Sequence, residues 1–281
     1  MKKPILLWGL LFLALALSCV TVDEKGRPVY IDEPEVKEEK KPPGPRDPSQ
    51  FPVRASWTRD EQEIPLLLAG LPDSAPDRFT LPYLPPVGNQ GRLPNGTAWA
   101  AGYTALSVLL KRQGHENYIC SPSFPYNMLH KNKKGVPLLD VLLFIRDKGC
   151  PSLDVLPYSD SDLTSGMSRS VRENAARHKP AGFSRVDFTD LDQVRSHLLQ
   201  GSVVIITMRV TENFLTLKEP LWKIPSGYFT GKHGLAVVGF DHKKRHFILQ
   251  NSAGRSWGEG GYARIPYSWF LRLCERAYIL W

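Results

Sequence analysis

The most restrictive feature of this chain is a change of residue pattern at Gly201. Before this glycine, apolar residues recur at helical spacing in residues 99–112, 138–147 and 190–200. After it, β-branched and apolar runs are typical of strands. The predicted strands are residues 203–210, 234–239, 246–250, 262–265 and 277–280. Helices in one half and strands in the other predict an α+β protein of two lobes, with a functional cleft between them.

Composition excludes some classes of function. The 281 residues carry a net charge of +8, and the isoelectric point is about 9.3. The basic residues are scattered and accompany no recognisable nucleic-acid-binding module, so we predict no nucleic-acid partner. A solvated basic surface that faces an anionic membrane or cell wall is the favoured interpretation. No cluster of His and Cys indicates a metal site, and we expect no cofactor.

Residues 1–18 have the features of a signal peptide. Lys2 and Lys3 precede the apolar run 5–17, which is shorter than the ~20 residues that a membrane-spanning helix needs. The run ends at Cys19 in the sequence ALSC, which resembles a bacterial lipobox with its first two residues in reverse order. This resemblance predicts that Cys19 is lipidated and anchors the chain to a membrane of the bacterial cell envelope, periplasmic or at the outer surface. Secretion without lipidation and an uncleaved anchor are the alternatives.

The rest of the N-terminal region divides into two parts. Residues 19–53 include the charged, proline-rich stretch 33–45, which has too little apolar content to fold, so we predict a disordered, lipidated tether. Residues 54–75 form a short extension, in which the apolar run 64–71 suggests a helix packed outside the core. The folded domain is then residues 76–281, with a helical lobe at about 76–180 and a β lobe at about 181–281.

Beyond Cys19 the chain has three cysteines, Cys120, Cys150 and Cys274. Three cysteines can form at most one disulfide, and Cys120–Cys150 is the pair closest in sequence. The sequence leaves that disulfide open.

Four short segments together resemble the papain family of cysteine peptidases. Residues 86–91 read PVGNQG and lead into AWA at 98–100, and residues 231–240 read GKHGLAVVGF. Residues 247–252 read FILQNS, and residues 256–265 read SWGEGGYARI, close to the family pattern GWGxxGYxRI. The segments follow the family's order and cover about residues 76–281. The resemblance implies a papain-like two-lobe fold with its site between the lobes.

The resemblance also implies roles for individual residues. In the family a cysteine at a helix start is the nucleophile, and the helix dipole with a neighbouring imidazolium holds it as a thiolate. A histidine from the other lobe is its acid–base partner, an asparagine orients that ring, and a glutamine donates to the oxyanion. By position these residues match His233, Asn251 and Gln90.

The nucleophile does not match. Six residues after Gln90 the chain has Gly96, which has no side chain to attack a substrate. A shift of one or two residues would bring Thr97 or Ala98 to this position, and neither is a cysteine. The family's tryptophan after Asn-Ser, which shields the His–Asn hydrogen bond from water, is replaced by Ala253.

These observations favour a membrane-tethered papain-like pseudopeptidase that binds a peptide or protein ligand in its cleft. An active hydrolase of peptide bonds with an unorthodox nucleophile, such as Thr97 or an activated water, is the first alternative. An envelope lipoprotein with a purely structural role is the second.

Overall fold

A computed structural model describes residues 21–22, 28–29, 57–132, 134–164 and 168–281. The predicted signal peptide, Cys19 and most of the predicted tether lie outside the described residues. One part of the tether differs from the expectation of disorder, because β1 (Thr21–Val22) pairs antiparallel with β2 (Pro28–Val29). Among the described residues, no helix combines the length and the apolar character needed to cross a membrane.

The helical lobe is built around one long helical run. It begins as α2 (Gly96–Ala98), continues as a π-helical segment (Trp99–Leu106) and ends as α3 (Ser107–Arg112). The other helices of this lobe are α4 (Ser123–Leu129), α5 (Leu138–Lys148) and α6 (Arg169–Ala176). Every residue of the π-helical segment is buried. The run is rich in alanine, whose small side chain allows the helix to be packed on all sides.

The β lobe is one antiparallel sheet of seven strands. Its main path is β4-β9-β5-β6-β7-β8, and β3 adds to β6. The strands are β3 (Arg78–Thr80), β4 (Phe183–Arg185), β5 (Val204–Thr211), β6 (Phe229–Asp241), β7 (His246–Gln250), β8 (Tyr262–Pro266) and β9 (Cys274–Leu280). The helices α7 (Leu191–Leu199), α8 (Glu212–Leu215) and α9 (Tyr267–Leu273) accompany the sheet.

The lobe boundary differs in one place from the sequence-based division. Arg78–Thr80 falls in the range expected for the helical lobe, but it pairs with Asp241–Gly239 of β6. The chain therefore starts its folded domain in the β lobe, crosses to the helical lobe and returns. One apolar core cluster runs through both lobes.

The N-terminal extension is bound to the β lobe through hydrogen bonds of the buried Glu61 carboxylate. Helix α1 (Arg59–Gln62) begins with a capping box between Thr58 and Glu61. The Glu61 carboxylate accepts hydrogen bonds from the Arg276 guanidinium and from the Tyr278 hydroxyl, the latter at 2.9 Å. Burial opposes ionisation of Glu61, but Arg276 and the other donors outweigh burial and lower its pKa.

The prediction of a helix at residues 64–71 is wrong. The helix of the extension ends before this run, and Leu66 instead forms a parallel bridge with Arg185. Leu66, Leu67 and Leu68 are 46%, 41% and 68% exposed, so this apolar run is not core.

Candidate active site

The structure places Gly96 as the first residue of the long helical run. Asn95 is the N-cap residue, and its carbonyl accepts from the backbone N–H groups of Ala98 and Trp99 at 3.0 and 3.1 Å. The Asn95 side chain is engaged elsewhere, since Nδ2 donates to the Tyr158 hydroxyl at 3.1 Å. Position 96 is thus a helix start, the environment that lowers the pKa of a thiol.

His233 and Asn251 form the predicted pair. Asn251 Oδ1 accepts from His233 Nε2 at 2.8 Å and from the backbone N–H of Ser252 at 2.8 Å. Because Nε2 donates to Asn251, the ring's other nitrogen, Nδ1, lies on the side away from that amide. The pair is buried, with His233 at 0% and Asn251 at 4% exposure.

The lobes meet where the sequence predicts the reacting groups. Gly234, next to His233, packs directly on the helix start: a Cβ built there would lie 2.6 Å from Thr97 Cα and 2.9 Å from the carbonyl carbon of Gly96. A side chain at position 234 is therefore excluded by backbone atoms. This contact brings the strand that carries His233 against the helix start that carries Gly96.

The predicted oxyanion residue, Gln90, is buried and held at both ends of its amide. Its Nε2 donates to the Leu93 carbonyl at 2.7 Å, and its Oε1 accepts from the Ser252 hydroxyl at 2.6 Å. The Gln90 backbone N–H also donates to the Ser252 carbonyl at 2.7 Å. These bonds join the loop before the helix to the end of β7, and they orient the amide. A donor role toward an oxyanion stays a prediction.

Ala253 does not leave the His–Asn pair open to water. Phe214 packs edge-on to the His233 ring at 6.1 Å and contacts Trp257 at 4.9 Å. Trp257 Nε1 donates to the backbone carbonyl of Phe214 at 2.6 Å, which orients the Trp257 ring beside Phe214. The pair is buried without that tryptophan, so its loss does not by itself indicate lost catalysis.

No cysteine of the described chain replaces the nucleophile. Cys274 is in register with Met208, which is in register with His233, so Cys274 lies two strands, or about 10 Å, from His233. Cys150 contacts Cys120 and packs near Gly102, six positions along the helical run from Gly96 and hence about 9 Å away. Burial raises the pKa of both the Cys150 and Cys274 thiols, which makes them poor nucleophiles.

The disulfide that the sequence left open is not formed, because Cys120 and Cys150 are free thiols. The Cys150 thiol donates to the Ser121 carbonyl at 3.1 Å.

Thr97 is not aligned as an alternative nucleophile. Its hydroxyl is fully buried and donates to the Val136 carbonyl at 2.8 Å, within the helical lobe. Ser252 is likewise engaged through its bond to Gln90. A cavity of about 10 Å³ lies beside Asn251 and is also lined by Trp99 and Gly234. It is too small for a substrate, so a ligand would have to contact the outer side of the site.

The site retains two of the groups that a hydrolase with a nucleophilic side chain uses. An imidazole oriented by an amide can hold and move a proton, and a helix start favours negative charge. The residue at the helix start is Gly96, whose side chain is a hydrogen atom, so this position supplies no nucleophile. Among the described residues, no group of three His, Cys, Asp or Glu side chains could hold a metal ion.

Two residues that hold the site in place could not be recognised from the sequence. Phe214 stands in a short helix after β5, and Tyr158 in a loop donates its hydroxyl to the Gln90 carbonyl at 2.6 Å. Tyr158 also packs edge-on to Trp99 at 4.8 Å. Both hold site residues from segments distant in sequence, so only the folded chain reveals them.

Fold and site together define a papain-like α+β protein with helical and β lobes. The model of the papain family of cysteine proteases matches residues 128–275, a range that begins after Gly96. This chain belongs to the papain family of cysteine proteases.

Individual relatives agree with this assignment. An uncharacterized peptidase C1-like protein of Acanthamoeba polyphaga mimivirus is 25% identical over 208 residues, covering 68% of this chain and 67% of its own. Cathepsin K of Mus musculus is 24% identical over 225 residues, covering 77% and 66%. The chain thus spans about two thirds of each relative. Xylellain, a cysteine protease from Xylella fastidiosa, shares the fold with a TM-score of 0.64 at 21% identity, over 89% of this chain and 95% of that one.

Proposed function

We propose that this papain-family domain binds peptide segments where its two lobes meet and does not cleave them by thiol chemistry. The observation that carries the proposal is Gly96 at the helix start, beside the strand of His233. Cleavage in this family's manner needs a thiolate at that position. The thiols of the described chain are buried and lie elsewhere.

Retention of the surrounding architecture supports binding over a purely structural role. The buried His233–Asn251 pair and the bonds that orient Gln90 are polar groups placed in the interior, which a scaffold could replace with apolar packing. These retained polar contacts support binding of an extended peptide across the surface where the lobes meet.

Location forms the second part of the proposal. Lipidation of Cys19 would tether the domain to a membrane of the bacterial cell envelope, with residues 19–53 as the spacer. Its support is the lipobox-like ALSC sequence after an apolar run. Metabolic labelling with an alkyne fatty acid tests it, because Cys19→Ser would abolish labelling of a lipoprotein and would leave labelling unchanged otherwise.

Peptide binding without turnover can be tested on the full chain with one library. A proteome-derived peptide library is incubated with the protein, and both cleavage products and retained peptides are identified by mass spectrometry. We expect retained peptides and no new termini. Cleavage that disappears in His233→Ala would contradict the proposal and favour a hydrolase with an unorthodox nucleophile.

The location of bound peptides needs a matched pair of variants. Gly96→Cys puts a thiol at the proposed site, whereas Gly70→Cys puts one at an exposed glycine with nothing within 4 Å of an added Cβ. Retained peptides should protect the first thiol from iodoacetamide and leave the second unprotected. Equal reactivity of the first thiol with and without peptide would mean that the peptides bind elsewhere.

A further inference from the structure

Two histidine rings lie against each other where two helices of the helical lobe end. His115 follows α3 (Ser107–Arg112), and His178 follows α6 (Arg169–Ala176). Their ring centroids are 5.3 Å apart, and the ring planes are inclined at 78°. The two residues are far apart in the chain, so no motif in the sequence indicates them. We call His115 and His178 the histidine pair.

The end of α3 fixes the backbone of His115. Gly114 has a positive φ of 98°, and the His115 N–H donates to the Leu110 carbonyl at 3.0 Å. This is the Schellman arrangement that closes many helices. The imidazole belongs to an exposed residue and contacts the rings of Tyr118 and His178. Within the described chain it takes part in no hydrogen bond or ion pair, so both ring nitrogens are available to a ligand.

His178 is held as the tautomer whose Nε2 can bind a metal ion. Its Nδ1 donates to the Asn174 carbonyl at 2.8 Å, since a carbonyl oxygen can only accept. In the neutral ring Nε2 then carries the lone pair, and such a bond from the other nitrogen is what orients metal-binding histidines. Tyr118 stacks on the ring at 4.0 Å, and its hydroxyl donates to Asn174 Oδ1 at 2.9 Å. Burial lowers the pKa of His178, as do His115 and Arg177, so the ring is neutral near pH 7.

The separation of the rings suits one metal ion between them. A Zn²⁺–N bond is about 2.0–2.1 Å long, and the centre of an imidazole lies about 1.1 Å behind the bound nitrogen. Two rings that bind at the tetrahedral angle therefore have centroids about 5.2 Å apart. The observed 5.3 Å agrees with this value. An edge-to-face contact between two rings also has centroids about 4.5–7 Å apart, so an experiment has to distinguish the two arrangements.

The charges next to the histidine pair moderate its affinity. Glu116 adjoins His115, whereas Arg177 and Lys179 adjoin His178, and all three charged residues are exposed. Solvent and salt screen their effect on a bound cation. With two protein ligands and a slight excess of positive charge nearby, we expect a dissociation constant of about micromolar order, much weaker than that of a structural zinc site with four ligands.

We propose that the histidine pair binds one Zn²⁺ ion through a ring nitrogen of each residue, with water completing a tetrahedral coordination. The site lies at the opposite end of the helical run from Gly96, roughly 25 Å away, and does not depend on the proposed peptide binding. The ion would join the ends of α3 and α6. It would stabilise the helical lobe, because a ligand that binds only the folded chain raises its stability.

The test is isothermal titration calorimetry of the untagged full chain with Zn²⁺. We expect binding to the unmodified protein that His115→Gln and His178→Gln each weaken by at least about tenfold, because each removes one of the two protein ligands. The matched control is His242→Gln, which removes a histidine just after β6 in the β lobe and should leave the affinity unchanged.

Two further measurements report the geometry and the link to stability. Co²⁺ in place of Zn²⁺ should give the visible absorption of a four-coordinate ion when both histidines are present, and should lose it in either variant. Zn²⁺ should also raise the melting temperature of the unmodified protein more than that of His115→Gln. If His178→Gln does not fold, His115→Gln still decides, because residue 115 is exposed and its ring makes no hydrogen bond within the described chain.

The opposing outcomes are distinct. Absence of Zn²⁺ binding to the unmodified protein would overturn the proposal and leave an edge-to-face ring contact as the reason for the pairing. An unchanged affinity in His115→Gln would overturn it too, as would an equal loss in His242→Gln, because the ion would then bind elsewhere. None of these results bears on peptide binding between the lobes, so the two proposals fail separately.

Discussion

Restoring a thiol at position 96 tests the geometry on which the functional argument depends. Gly96 has helical backbone, which an L-residue adopts without strain, and circular dichroism of Gly96→Cys checks that the variant folds. A thiolate about 4 Å from an imidazolium, at an effective dielectric constant of about 20, gains about 4 kcal/mol. This lowers the thiol pKa by about 3 units, from about 8.5 to about 5.5.

The consequence for reactivity follows from two opposing effects. At pH 6 the thiolate fraction rises about 200-fold, but a less basic thiolate is a weaker nucleophile by about 20-fold. Because position 96 is buried, the matched comparison keeps the same site: iodoacetamide should react about tenfold faster with Gly96→Cys than with Gly96→Cys combined with His233→Ala.

The assay can be made specific to one site. After alkylation at a series of pH values, trypsin releases residues 93–111, in which position 96 is the one cysteine of Gly96→Cys. Mass spectrometry of this peptide gives the pH–rate profile without interference from the buried thiols. An apparent pKa near 8.5 that does not change when His233→Ala is added would refute the placement of Gly96 opposite that ring.

Three further predictions concern stability and can be measured by chemical denaturation. Gly234→Ala should lower the free energy of unfolding by about 2 kcal/mol or more because its methyl group meets backbone atoms, whereas Gly70→Ala should be nearly neutral; equal effects would contradict the tight contact between lobes. Ser252→Ala should cost about 1 kcal/mol because Gln90 Oε1 loses its donor, and no change would argue against that bond. Glu61→Gln should cost about 2 kcal/mol at pH 7. Because the folded-state pKa of Glu61 is lowered, its stabilisation is present above pH 4.5 and is lost as pH falls through the lowered value. The free energy of unfolding of the variant should therefore fall less steeply with decreasing pH than that of the unmodified protein. The same slope in both proteins would refute this.

Long periodic elements were predictable from sequence. The helix at 138–147 and the strand at 246–250 are confirmed within one residue as α5 and β7. The helix at 99–112 is confirmed and starts earlier, at Gly96. All residues of 99–106 are buried, so the apolar pattern has no single face whose spacing could distinguish a π-helix from an α-helix.

Short helices were missed where local signals oppose them. Helix α4 contains Pro125 and follows Pro122, and both residues read as breakers although Pro is tolerated in a first turn. Helix α9 follows directly on Pro266 at the end of β8 and has only seven residues. Tertiary packing stabilises both, and single-sequence patterns do not report it.

The site residues that lie within the family motifs could be predicted from the sequence. His233 and Asn251 meet as the resemblance implied, because β6 and β7 are adjacent strands. The aromatic cover from Phe214 could not be predicted, since its helix matches no motif and reaches the ring only through packing.

The Glu61 ion pair has a consequence for how the chain acquires its structure. Its hydrogen bonds to Arg276 and Tyr278 join positions 215 and 217 residues apart, so they cannot form until β9 has been synthesised. The central strand β5 also waits for β9, which pairs with it. A chain emerging from the ribosome would therefore stay incompletely folded until β9 has been made, and pairings this distant in sequence imply slow, cooperative folding. Truncation within β9 should consequently abolish the native state instead of trimming an edge.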